Sequence, residues 1–114
     1  DLTYVKDLCS GFIEIAKSDK LFGEVVNIGM SKEIRIDELV NKIANIMGID
    51  IQIISDNDRL RPKTSEVDRL ICDNKKLIEN TNWKPIVSLE SGLENTVNWM
   101  KSNMKYYKPE HYNV

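Results

Sequence analysis

Three stretches of apolar residues at helical spacing, separated by short β-branched runs, constrain this chain more than any other feature. Val5, Leu8, Phe12, Ile15 and Ala16 share one helical face. So do Ile36, Leu39, Val40, Ile43, Ala44 and Met47, and later Leu89, Leu93, Val97, Met100 and Met104. Recurrence every three or four residues stacks side chains on one side of a helix. Between the first two stretches, Glu24-Val25-Val26-Asn27-Ile28-Gly29 is β-branched and closed off by glycines, which predicts a buried strand. Ile49-Asp50-Ile51-Gln52-Ile53-Ile54 predicts a second strand. Leu70-Ile71-Cys72 reads as a brief extended piece, and Asp73 as the N-cap of a short helix through Leu77 and Ile78. The order is therefore helix, strand, helix, strand, loop, helix, helix.

A length of 114 residues supports one domain, 1–114, around one core. The expected class is α/β, with few strands and about four helices. Two strands make a thin sheet, because sheets generally need more to be stable. Val25, Val26 and Ile28 are thus expected to belong to a larger parallel sheet whose other strands lie elsewhere. The first residue is Asp1 rather than Met, directly before the apolar-rich Leu2-Thr3-Tyr4-Val5, and this too predicts a piece of a longer polypeptide. An unpaired apolar edge favours self-association, so a homo-oligomer is expected.

Local signals refine the outline. Asp7 falls near the positive end of the first helix, where an acid is favoured. Gly11 costs that helix about 1 kcal/mol against Ala, which implies close packing against a neighbour. Gly23 marks a turn and Gly48 a helix end, while Ser88 is placed to cap the last helix. Pro85 keeps Lys84 out of helix. Cys9 and Cys72 lie in apolar patterns and read as small core residues, and Trp83 and Trp99 as core or subdomain-packing residues. The tyrosine-rich end from Tyr106 to Val114 is expected to be docked.

Composition excludes several classes. Sixteen basic against 18 acidic residues give a net charge of −2, without the positive excess that nucleic-acid binding requires. No apolar run approaches the roughly 20 residues that span a bilayer, so no membrane partner is expected. Two cysteines make neither a disulfide framework nor a metal site, and a cytoplasmic setting is expected. Asp56, Asp58, Glu66 and Asp68 lack the fixed spacing and glycine of a calcium loop. The single histidine, His111, has no nucleophile partner by spacing.

The segment most suited to ligand chemistry runs from Arg59 to Glu66. Arg59 and Arg61 place two guanidinium forks beside Pro62, and such forks pair with phosphate oxygens through charge-assisted bonds. Glu66 is suited to accept hydrogen bonds from sugar hydroxyls. Phosphate clamp and diol acceptor together fit a nucleotide, although a basic loop of this composition is more often a solvated surface loop. No glycine-rich dinucleotide fingerprint follows a strand, and no Tyr is followed four positions later by Lys.

Taken together, these segments resemble the NAD-dependent epimerase/dehydratase family of extended short-chain dehydrogenases. Asp1-Leu2-Thr3-Tyr4-Val5-Lys6-Asp7 is similar to its R-D-F-x-Y-V-x-D stretch, and Val26-Asn27-Ile28-Gly29 to its N-I-G strand. Arg61-Pro62 with Glu66-Val67 and Asp73 resembles its R-P-x-[DE]-V…A-D nucleotide loop. Asn82-Trp83-Lys84-Pro85, then Leu89-Glu90-Ser91-Gly92-Leu93, Thr96 and Trp99, is similar to its G-W-x-P…L-E-E-G-L-x-x-T-x-x-W ending. The stretch Arg59–Arg69 and Tyr107-Lys108-Pro109 look most like the nucleotide-activated N-acetylglucosamine 4,6-dehydratases of nonulosonic, legionaminic-type sugar synthesis. Two positions depart from the pattern. Arg35 stands where relatives carry a Ser or Thr cap, and the family's arginine immediately before Asp1 lies outside the sequence.

The resemblance implies a C-terminal, substrate-binding part of such an enzyme, with the Rossmann core elsewhere. NAD and the catalytic residues then belong to the N-terminal portion, and this chain holds no cofactor and no catalytic group. Arg61 matches the arginine that grips the diphosphate and Glu66 the acid at the ribose, with Arg59 beside them; the ligand is a UDP- or GDP-linked sugar. The implied reaction oxidises C4 of the sugar with NAD, eliminates water across C5 and C6, and returns the hydride to C6. The alternatives are a 4-epimerase sharing the same loop, a free-standing non-catalytic nucleotide-binding module, and a purely structural remnant.

Overall fold

A computed structural model of the chain describes residues 1–54 and 67–107. Four helices carry it: α1 (Val5–Lys17), α2 (Ile36–Met47), α3 (Lys75–Asn80) and α4 (Leu89–Ser102). Single 3₁₀ turns follow α1 at Asp19–Leu21 and α4 at Met104–Tyr106. The helices match the apolar spacing closely. Ser88 accepts the Ser91 N–H through its Oγ at 3.1 Å, which satisfies one orphan donor at the start of α4. Replacing Ser88 with Ala is expected to cost about 1 kcal/mol in urea denaturation, and an unchanged midpoint would argue against the cap. Gly48 ends α2 with φ +68, a left-handed cap that residues with a Cβ adopt at a cost.

The segments read as strands, 24–29 and 49–54, form no ladder among the described residues. The reason is physical: a strand exists only with a hydrogen-bonding neighbour, and its own residues do not supply one. Val26 and Ile28 nevertheless turn inward onto the core, while Val25 is 86% exposed. The short helix begins one residue later than its expected cap. Asn74 occupies the N-cap position, and Asp73 Oδ1 accepts the Lys75 N–H at 3.1 Å from one residue upstream.

The core is small. Leu21, Leu77 and Trp83 are buried together, with Ile15, Val26 and Ile28 packed around them. It gathers the end of α1, the 24–29 segment, α3 and the turn before α4. Gly11 lets this happen: a Cβ there would stand 2.9 Å from Ile28 Cγ2 and 3.3 Å from Trp83 Nε1. The expected close packing at Gly11 is thus explained by Ile28 and the Trp83 indole. Helices α2 and α4 pack together away from this core, and Lys42 Nζ meets Glu90 Oε1 at 2.6 Å across them.

Cys9 is not a core residue. It is exposed, because it lies two residues from the buried Asp7, a rotation of about 200° around the helix. Trp99 is likewise 56% exposed, its ring meeting Tyr107 edge-on at 6.3 Å between centroids. That contact is the described beginning of the tyrosine-rich end. Residues 108–114, His111 among them, lie outside the described residues.

Candidate functional site

The residues expected to hold a nucleotide, Arg59, Arg61 and Glu66, lie outside the described residues. The structure does describe the segment that follows them in the chain. After residue 66 the chain runs along 67–74 and is fastened to the 27–33 segment by side chains that spacing alone did not single out.

Asp1 is the first fastener. Its Oδ1 accepts the Met30 N–H and its Oδ2 the Cys72 N–H, each at 3.0 Å, so one carboxylate bridges two segments. Asn74, buried, donates from Nδ2 to the Gly29 carbonyl at 2.7 Å. Ser31 Oγ donates to the Cys72 carbonyl at 2.7 Å. Ser31 has φ 54, a left-handed conformation costing a residue with a Cβ roughly 1–2 kcal/mol, and its hydroxyl bond offsets part of this. Gly29 is required by the same approach, since a Cβ there would overlap Cys72 Cβ and lie 2.7 Å from its Sγ. The signal in the sequence was the glycine of Asn27-Ile28-Gly29, a place where a neighbouring segment comes close.

Arg69 completes the attachment. Its Nε and Nη2 grip the two oxygens of Glu33 at 2.8 and 2.6 Å, a bidentate pair on the surface. The Arg69 guanidinium holds the Glu33 carboxyl below the usual carboxylate range. The pair therefore forms throughout neutral pH and is lost only as pH falls through that lowered value. It also means that Arg69 is already engaged, unlike a free phosphate ligand.

Beside this junction opens a cleft of about 490 Å³, between Asp1, Leu8 and Phe12 on one side and Asn27, Gly29 and Cys72 on the other. Among the described residues lining it there is no Lys, Arg or His. Burial and the nearby Asp73 charge push the Cys72 thiol up, so it stays protonated and is a poor nucleophile. A second, larger groove of about 660 Å³ runs between residues 2–6 and α4, walled mainly by Tyr4, Leu89, Leu93 and Trp99. Among the described residues no group of three His, Cys, Asp or Glu side chains is placed to hold a metal ion. No described helix is long and apolar enough to cross a membrane. The cleft thus supplies shape and backbone polar groups, and any anion held there needs positive charge from elsewhere.

The sequence pattern of the family described as GDP-mannose 4,6 dehydratase matches residues 1–96. A putative UDP-glucose 4-epimerase of Methanocaldococcus jannaschii is 37% identical over 103 residues, covering 90% of this chain and 31% of that protein. A UDP-glucuronate 4-epimerase of Thermodesulfobacterium geofontis is 30% identical over 109 residues, covering 95% of this chain and 32% of its own length. A GDP-6-deoxy-D-mannose reductase of Pseudomonas aeruginosa is 27% identical over 93 residues, covering 82% of this chain and 30% of the reductase. The chain therefore spans about a third of the length of these relatives. No solved structure matches it.

Proposed function

The chain belongs to the extended short-chain dehydrogenases, in the family described as GDP-mannose 4,6 dehydratase, and from that premise we propose that it is the C-terminal, nucleotide-sugar-binding portion of an NAD-dependent nucleotide-sugar 4,6-dehydratase. The finer assignment is to the branch acting on nucleotide-activated N-acetylglucosamine for legionaminic-type sugars. The observation that carries the reading is the family match over residues 1–96, which runs through the Arg59–Glu66 loop and the anchored 67–74 segment that follows it. In this reading Arg61 and Arg59 bind the diphosphate and Glu66 a ribose hydroxyl. The 24–29 and 49–54 segments find their strand neighbours in the rest of an α/β enzyme.

The described glycines do not form a pyrophosphate site for NAD. Of the chain's five glycines, Gly11 and Gly29 are closed by Ile28 and Cys72, Gly92 lies within α4 in ordinary contact with Tyr4, and Gly23 and Gly48 sit in turns with positive φ. None offers the cradle at a strand-to-helix turn that a pyrophosphate needs. In the proposed reading the redox steps belong to another part of the enzyme, and this chain contributes binding and orientation of the sugar nucleotide.

Two relatives named as 4-epimerases for UDP sugars favour a second reading, a UDP-sugar 4-epimerase. Incubating the complete enzyme with UDP-N-acetylglucosamine separates the two. A product lighter by one water supports the dehydratase, whereas a product of unchanged mass with inverted C4 supports the epimerase. The binding role is tested by Arg61→Ala in the complete enzyme. Loss of a charged hydrogen bond worth roughly 1.5–3 kcal/mol should weaken UDP binding in calorimetry by about 10- to 100-fold. An unchanged affinity for UDP would overturn the assignment of Arg61. The isolated 114-residue chain is expected to turn over no nucleotide sugar, and 4-keto product from it alone would sink the division of labour proposed here.

A further inference from the structure

The ion pair between Arg69 and Glu33 is of a kind not repeated among the described residues. The two lie 36 positions apart and meet through two parallel bonds, Nε to Oε2 at 2.8 Å and Nη2 to Oε1 at 2.6 Å. The other described pairs are local, as Arg35–Asp37 and Lys17–Glu14, or join their charged groups by one bond, as Lys42–Glu90 and Lys76–Glu24. A guanidinium fork on a carboxylate fixes direction as well as distance, because both bonds must share one plane.

The place of the pair matters as much as its geometry. Glu33 stands on fastened ground, since the Met30 N–H bonds to Asp1, the Gly29 carbonyl accepts from Asn74 and the Ser31 hydroxyl donates to the Cys72 carbonyl. Residues 67–70, by contrast, are all exposed, so burial does not hold them. Going along the chain from residue 66, the Arg69 side chain is the first described fastener, and the Leu70 carbonyl, which accepts from the Asp1 nitrogen at 2.9 Å, is the next. Glu66 stands three residues before Arg69, at most about 11 Å away along a fully extended chain. The pair itself adds little to stability, because its side chains are 69% and 46% exposed.

We propose that Glu33 and Arg69 are positioning residues for nucleotide binding: together they set where the Arg59–Glu66 loop ends, and so where Arg61 and Glu66 meet the diphosphate and the ribose, without touching the ligand. The proposal rests on the reading above that this loop binds a nucleoside diphosphate, and it adds what places the loop. Glu33 gives the idea a distinctive sign. Through its field alone, removing this negative charge would favour an anionic ligand. As the anchor of Arg69, its removal weakens binding instead.

The test is calorimetric titration of the complete enzyme with UDP and with GDP, comparing the parent, Glu33→Gln, Arg69→Gln and the double exchange Glu33→Arg/Arg69→Glu. Each single variant should weaken the preferred nucleotide about three- to fivefold. The double exchange keeps the net charge and should recover most of the loss. Without nucleotide, the melting temperature of Glu33→Gln should stay within about 2 °C of the parent. Unchanged or tighter binding by Glu33→Gln overturns the proposal, as does a double exchange no better than the single variants. Weaker binding accompanied by a melting temperature more than about 5 °C lower makes the pair a stabiliser of the fold and overturns it too. Binding that depends on Arg61 but ignores Glu33 sinks this inference alone. A parent that binds neither UDP nor GDP sinks the proposed function, and this inference with it.

Discussion

Trp83→Ala is expected to unfold the core that joins α1, α3 and the turn before α4. Trp83 is 3% exposed and shares the small core with Leu21 and Leu77, so removing the indole costs on the order of 3–5 kcal/mol through lost transfer and the cavity left behind. Its Nε1 also donates to the Asp7 carbonyl and to Ser10 Oγ, each at 3.0 Å, tying the turn before α4 to the first turns of α1. For a domain whose whole margin is roughly 5–15 kcal/mol, that loss is a large share. Trp83→Phe separates the two contributions, because it keeps most of the packing and loses only the indole donor; it should cost distinctly less. Urea denaturation followed by circular dichroism measures both, with Trp99→Phe as the background when fluorescence from Trp83 alone is wanted. A Trp83→Ala protein within about 1 kcal/mol of the parent would show that this cluster is not the core.

Asp7→Ala is the second large effect. Asp7 is 2% exposed, and its Oδ2 accepts the backbone N–H groups of Ile86 and Val87 at 3.1 and 2.9 Å. Those donors lie just before α4, so one carboxylate on α1 sets where the last helix starts and with it one wall of the larger groove. Deleting the side chain strands both donors, at about 1–3 kcal/mol apiece when the group stays dry. Asp7→Asn retains an acceptor oxygen and should lose considerably less, through weaker uncharged bonds. Equal losses for Ala and Asn would mean that charge, rather than the acceptor, holds the turn. A loss below about 0.5 kcal/mol for Ala would mean that water replaces it. In the complete enzyme both variants should alter sugar-nucleotide affinity less than Arg61→Ala, since Asp7 acts on the turn and not on the ligand.

The helices were legible because each is specified by its own residues. Apolar spacing, Ser88 before Leu89 and Gly48 after Met47 are local facts, and the structure places α1, α2 and α4 where those facts put them. Asp7 was legible only in part: its favourable place in the first turn could be read, but not its bonds to Ile86 and Val87. Cys9 was misread for a related reason. Apolar spacing tells that a face is apolar without telling which of two such faces turns inward, and Gly11 against Trp83 decides that for α1.

The junction around Gly29 shows the same division in sharper form. The residues that make it, Asp1, Ser31, Cys72 and Asn74, are up to about 70 positions apart in the chain, and no periodicity links them. Motif order was enough to reveal the family, because that order survives in the sequence whatever the chain packs against. By itself, then, the sequence determined the helices, their caps and the kinship with nucleotide-sugar enzymes, all of which depend on near neighbours or on linear order. Only the tertiary structure decided which acid became a clasp, which glycine admitted a neighbouring side chain and which apolar face remained uncovered. Those outcomes depend on contacts between distant residues, whose energies are settled when the segments meet.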